Sequence, residues 1–333
     1  MKKIIAVLLA VMMLFALGAT AFADAAPKDG GSKLIFTTGG EAGTYYGFGS
    51  VLAQKVSDVT STSVTAITSG GSAANIDAID VGDAQIGFSQ SDVLAYAYAG
   101  TRSFEEIGEI TSFSIVAPLY MEQVQIVTLN PDIKTVADLK GKSVSIGAAG
   151  SGVYFNAIDV LGVYGLTEDD IKPTYQSFAD SAEALQDGQI DAAFVVAGAP
   201  TTAITSLAAT KSVFLVSLDD EHIDALIEES PFYSKAVIAA DTYGMPEDAT
   251  TVAVSAVVIA NNDVADVDVY NFLCGVYENL DDLAKVHDKA NELSLEFAAS
   301  FVGVPYHPGA VQYFADKGVE LAADAADAEA PAK

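Results

Sequence analysis

A chain of 333 residues with 45 acidic side chains against 16 basic ones carries a formal charge of −29. That field excludes partners that need basic patches, nucleic acid and anionic membrane surfaces among them. The length suffices for two domains, the 51% hydrophobic content is ordinary for packed α/β domains, and the lone cysteine, Cys274, excludes an internal disulfide.

The first 23 residues read as a cleaved secretion signal: Lys2-Lys3, an apolar run over 4–17, and Ala21-Phe22-Ala23 as a small-x-small cleavage site. An uncleaved anchor is the alternative, but the run is short for a membrane span. Cleavage removes two of the 16 basic residues and no acid, so 14 face 45 and the charge becomes −31. The expected product is extracytoplasmic, periplasmic or otherwise, with no direct membrane insertion. Residues 24–32 form a polar leader with Pro27, Gly30 and Gly31, expected to be mobile.

Residues 34–52, LIFTTGGEAGTYYGFGSVL, set the pattern for the rest of the chain. A short apolar run gives a strand, Gly39, Gly40 and Gly43 give a turn, and Thr44 stands at an N-cap position before a helical spacing of Tyr45, Phe48, Leu52 and Val56. Strand, glycine-rich turn and helix N-terminus together hold anions, because the first-turn amides lack partners and the helix dipole favours negative charge there. Residues 143–161, SVSIGAAGSGVYFNAIDVL, repeat the design with Gly147, Gly150 and Gly152. Gly43-Thr44-Tyr45-Tyr46 is echoed by Gly152-Val153-Tyr154-Phe155, 109 residues on; the stretch from Ala78 is echoed from Ala184, 106 residues on. The repeat implies an α/β chain of two lobes with a cleft between them, strands 34–37 and 143–147 holding matching places in separate sheets.

Between these landmarks strand and helix alternate. The first lobe reads helix 46–57, strand 63–67, helix 72–80 and strand 85–88. The second reads helix 153–163, strand 172–177, helix 180–187, strand 191–196, helix 199–208 and strand 213–216. Such alternation implies a parallel or mixed sheet covered on both faces. Residues 113–128 read as the first crossing between lobes, 132–139 as a short surface helix, and 236–260 as the return crossing. Helices fill 264–300, with Cys274 as a buried apolar filler, and His307-Pro308-Gly309 opens a last helix. Lobe 1 is expected to comprise 33–122 and 255–320, lobe 2 123–254, and a flexible tail 321–333.

In open α/β sheets ligands sit beyond the carboxyl ends of strands. Turns at that edge supply the candidates Gly43, Thr44, Tyr45 and Tyr46; Ser69, Gly71, Ser72 and Asn75; and Gln90 with Ser91. The second lobe adds Ser151, Gly152 and Tyr154, and Tyr120 and Phe178 lie near sheet edges. All are neutral donors or apolar walls. Arg102, the one arginine, reads as a solvated surface residue, so an anion is expected to be held without a guanidinium fork. The expected ligand is a small mono- or dicarboxylate.

Catalytic patterns are scarce. His222, His287 and His307 lie far apart and outside the glycine turns, and Gly150-Ser151-Gly152 lacks the nucleophile-elbow spacing. Dinucleotide, phosphate-loop, zinc and calcium spacings are missing from the sequence. The reading is a binding protein, not an enzyme, with no cofactor and no metal. A secreted hydrolase or transferase using Ser151 is the alternative of a different class.

Taken together, several motifs resemble the TAXI family, the TRAP-associated extracytoplasmic immunogenic proteins. They are Gly43-Thr44-Tyr45-Tyr46, Ser69-Gly70-Gly71-Ser72 with Asn75, and Gln90-Ser91-Asp92, together with residues 136–142, Gly150-Ser151-Gly152, 185–192, Pro231-Phe232-Tyr233 and His307-Pro308-Gly309-Ala310. The resemblance covers roughly 34–318. It departs at Gly47, where Pro is usual, and at Gln125, where His is common; Glu41 adds a negative charge beside the anion site. It implies a type II periplasmic-binding-protein fold, capture of glutamate or another dicarboxylate, and delivery to the integral membrane subunits of an ion-driven TRAP transporter. The runner-up keeps the fold but serves an ATP-driven importer for a sulfonate, nitrate or thiamine-precursor-like ligand.

Overall fold

The computed structural model describes residues 25–322, so the signal expected over 1–23 and the tail from 323 lie outside the described residues. Among those described, no helix is long and apolar enough to cross a membrane.

The first half begins with β1 (Lys33–Thr37), α1 (Thr44–Val59), β2 (Ser63–Ile67), α2 (Ser72–Asp80) and β3 (Ile86–Gln90). β1 runs parallel to both β2 and β3. α1 forms because Phe48, Leu52, Ala53 and Val56 fall on one face, which is buried against the sheet. Phe48 and Leu52 are fully enclosed, each contributing about 1.5–3 kcal/mol. α3 (Ser91–Ala99) leads to β4 (Phe113–Thr128), whose bounds are those read from the sequence.

The second half comprises β5 (Ser143–Ser145), α4 (Val153–Val163), β6 (Lys172–Thr174), α5 (Phe178–Gln186), β7 (Ala192–Ala197), α6 (Thr202–Ala208), β8 (Phe214–Leu215), α7 (Asp220–Glu229) and β9 (Ser234–Ile238). α5 starts two residues before the sequence reading, because the Ser177 hydroxyl accepts from the Asp180 amide and caps it. The surface helix expected over 132–139 is reduced to a single 3₁₀ turn, Val136–Leu139. β10 (Ala249–Asn261) returns to the first half, where α8 (Asp266–Tyr277), α9 (Leu280–Ala284), α10 (Leu295–Ala298) and α11 (Pro308–Lys317) complete it. Cys274 is buried in α8.

The strand order is β2-β1-β3-β10-β4-β7-β5-β6. β1 and β5 therefore belong to one continuous hydrogen-bonded sheet, which corrects the expectation of two separate sheets. The cause is the length of the crossings: β4 and β10 pair antiparallel with each other, and β10 then ladders onto β3 while β4 ladders onto β7. Two lobes persist because each half has its own core. Phe36, Phe88, Phe272 and Phe314 centre the first. In the second, Val144, Val160 and Phe194 fill one face of the sheet, and Leu185, Val195 and Ile204 fill the other.

The leader is not free along its described part. The Lys28 amide donates to Asn271 Oδ1 at 2.7 Å, the Ser32 amide and hydroxyl donate to Asp268, each at 2.7 Å, and the Lys28 ammonium lies 3.5 Å from the centroid of the Tyr270 ring. An acid and an amide on α8 thus satisfy backbone groups that the sequence reading left to water.

Candidate functional site

Between the halves lies a cavity of about 620 Å³, part of it continuous with solvent. Three helices aim their first turns at it. α1 enters through Gly39, Gly40 and the extended N-cap Gly43; α4 through Ser151 and Gly152; α5 through Gln176 and Ser177. Their leading amides have no acceptor within the helix and carry the positive end of its dipole. α2 differs. Its Ala73 and Ala74 amides both donate to the Gly150 carbonyl at 3.1 Å, so this N-terminus bridges the halves while the Ser69–Ser72 turn lines the wall.

The floor is apolar except for one acid. β7 supplies Val196 and Ala197, and β4 supplies Glu122, whose Oε2 accepts from the Tyr45 hydroxyl at 2.9 Å. The Tyr45 ring is fixed by stacking on Phe88 with centroids 4.5 Å apart. Burial pushes the Glu122 carboxyl up to about 8; the Tyr45 hydrogen bond pulls it down, the nearby Asp92 raises it and Lys289 lowers it. Burial, then the charge on Glu122, hold the Tyr45 phenol well above its ordinary range. Lys289 is itself buried and paired with Glu292.

Beside the cavity a polar network ties the halves together. Asn156 on α4 accepts from Gln90 Nε2 at 3.0 Å and donates to Asp92 Oδ2 at 2.9 Å and to the Tyr233 hydroxyl at 2.8 Å. Tyr233 in turn donates to Asp159, 3.0 Å away. Arg102 is exposed, as expected from the sequence, but it is paired: its Nη2 lies 2.7 Å from Asp159 Oδ1 and its guanidinium stacks over Tyr96 at 4.6 Å. The opposite rim is closed by Thr44, whose hydroxyl donates to the Gly198 carbonyl at 2.9 Å, and by the Ala203 amide on the Ala42 carbonyl at 3.1 Å. These contacts describe a closed arrangement. It needs glycine at 152, where a Cβ would stand 1.5 Å from Gln90 Oε1.

Ten of the fifteen expected site residues line the cavity: Gly43, Thr44, Tyr45, Ser69, Gly71, Ser72, Gln90, Ser151, Gly152 and Phe178. Five lie elsewhere. Asn75 is buried and engaged with the Thr37 hydroxyl and the Thr38 and Phe88 carbonyls, which fixes β1 against β3. Tyr154 turns away to Glu168 at 3.0 Å and lines a separate outer groove. Ser91 accepts from the Ser255 amide, Tyr120 packs in the first core against Phe48, and Tyr46 is half-buried on the outer side of α1. Consecutive helix residues are about 100° apart, so Tyr45 inward sends Tyr46 aside. Sequence reasoning missed Glu122, Gln176 and Ser177. The first had a signal, a lone acid inside the apolar run FSIVAPLYMEQVQIVT.

Two α/β halves closing on a cavity that helix N-termini line define a two-lobed, periplasmic-binding-protein-like fold of type II. The NMT1-like family matches residues 36–318, and the chain belongs to that family. An aliphatic sulfonates-binding protein of Escherichia coli (strain K12) is 32% identical over 117 residues, 35% of this chain and 34% of that protein, so the likeness spans about a third of the relative's length. Among solved structures, the periplasmic aliphatic sulphonate binding protein SsuA of E. coli overlays with a TM-score of 0.45 at 17% identity, covering 86% of this chain and 84% of that one. The alkanesulfonate-binding protein SsuA of Xanthomonas axonopodis pv. citri, bound to MOPS, gives 0.47 at 16%, with coverages of 89% and 85%.

The family match corrects the expected membership of the TAXI family, and with it the expected glutamate cargo and TRAP membrane subunits. The reason lies in what the quoted motifs do. His307 caps α11 through its ring nitrogen, and the glycine turns start helices. In this chain these residues start helices, and starting a helix does not single out one transporter type.

Proposed function

We propose that the chain is the extracytoplasmic solute-binding protein of an ABC-type importer, not an enzyme, and that it closes two halves on a small organic anion, a sulfonate first among the candidates. The halves are residues 33–122 with 255–320, and 123–254, moving about β4 and β10. The observation that carries this reading is the convergence of three helix N-termini on one cavity between the halves without a basic side chain among its lining residues. Amides fixed by the fold need little reordering on binding, and an oxyanion has room for several of them at once. The ten cavity residues expected from the sequence, with Gln176 and Ser177, are the proposed contacts. Membership of the NMT1-like family and the named sulfonate-binding relative support the transporter class and the ligand class.

Calorimetry on the secreted form with ethanesulfonate, nitrate and maltose tests it. Ethanesulfonate should bind near ~1 μM, about −8 kcal/mol. Binding of maltose alone, or of cations with none of the anions, would overturn the reading.

A further inference from the structure

The one acid in an anion-binding cavity calls for a role. Glu122 sits on the floor, 2% exposed, and among the described residues its side chain takes a single hydrogen bond, on Oε2 from Tyr45. Burial and the charge on Asp92 disfavour a bare carboxylate here, whereas the Tyr45 hydrogen bond and Lys289 favour one. From α3, Asp92 adds negative charge; on its own strand Tyr120 offers a phenol whose hydroxyl has no partner; from α1, Tyr45 already spends its proton on Oε2. Lys289, from the turn after α9, is the one cation close by, and its ammonium is committed to Glu292. The geometry leaves Oε1 to the cavity.

We propose that Glu122 reads the ligand as a neutral acid: its Oε1 hydroxyl donates to an anionic oxygen, so an ionised ligand is held by helix ends on one side and a carboxyl donor on the other. This rests on the proposed anion binding. When Glu122 starts ionised, closing on the anion requires it to take a proton from solvent, and binding is then linked to proton uptake. Burial in the closed arrangement holds this carboxyl up at about 8, so proton uptake is read above that pH, where the carboxyl is ionised before ligand binds. The acid also discriminates. A ligand carrying an ammonium group at that end meets a proton donor where it needs an acceptor.

Ethanesulfonate is a suitable probe because it stays ionised throughout the range, so every proton exchanged belongs to the protein. Calorimetry at pH 9 in buffers of different ionisation enthalpy should show uptake approaching one proton per ligand. The dissociation constant should weaken about tenfold per pH unit above pH 8. Glu122→Gln, which keeps shape and a donor, should bind several-fold more weakly at pH 7, with no pH dependence above it and no proton uptake. Three results would overturn the assignment: a wild-type affinity flat from pH 7 to 9.5, a slope that survives Glu122→Gln and disappears in Asp92→Asn, or selective binding of taurine with proton release. Failure of wild-type protein to bind any anion would remove the functional reading and this inference together, whereas anion binding without linkage removes the inference alone.

Discussion

Asn156→Ala is the sharpest test of how the halves are held. The side chain is fully buried and joins both halves, accepting from Gln90 and donating to Asp92 and Tyr233. Tyr233 retains Asp159 after truncation, but the Gln90 amide and the Asp92 carboxyl, whose Oδ1 already lacks a partner, are stranded. Each stranded buried polar group costs about 1–3 kcal/mol, so the closed form loses about 2–6 kcal/mol. In an opened cleft water satisfies the same groups and the loss is small. A closed-state penalty near ~3 kcal/mol translates into about hundredfold weaker ligand binding. Calorimetry with ethanesulfonate reads the affinity, and thermal unfolding of ligand-free protein reads the fold. The expected pattern is a large fall in affinity with the ligand-free melting temperature nearly unchanged. Unchanged affinity with a melting point lowered by many degrees would place Asn156 in the core of its own half and refute the reasoning.

Three further outcomes rest on the same geometry. Arg102→Ala should change affinity by under about tenfold, and less at high salt, because the half-exposed pair with Asp159 is worth about 1 kcal/mol or less. Gly152→Ala should weaken binding at least tenfold in the same titration, since its Cβ would displace Gln90, while circular dichroism stays native. Asp92→Asn should flatten the pH dependence of thermal stability. Burial holds this carboxyl up at about 7 against an ordinary 3.8, with the Asp159 charge adding to it. The native state therefore prefers the protonated acid; that stabilisation is full below about pH 4 and is lost as pH rises toward 7. A wild-type melting curve unchanged between pH 4 and 7, or an equal slope in Asp92→Asn, would contradict this.

What the sequence showed was what local periodicity controls. The crossing at 113–128 and the helices at 72–80 and 153–163 were legible to the residue, because apolar spacing and glycine or polar boundaries all agree there. The glycine turns at Gly43 and Gly152, which line the cavity, were legible for the same reason. The contents of the cleft were less so. Asn75 and Tyr154 sit in turns of the right kind, but which way a side chain points depends on neighbours from other elements: Thr37 and Phe88 for the first, Glu168 for the second. Arg102 does lie at the surface, but its pairing was hidden because its partner, Asp159, is 57 positions away in the other half. The single sheet was hidden because the lengths of β4 and β10 do not reveal that they pair with each other while one continues to β3 and the other to β7.

Small-angle X-ray scattering of the secreted protein, with and without saturating ethanesulfonate, tests the central claim that two halves close on a small anion. The account predicts a smaller radius of gyration with ligand, and a bound-state profile matching the closed arrangement of residues 25–322. Identical profiles in both conditions, for protein shown by calorimetry to be fully bound, would contradict it.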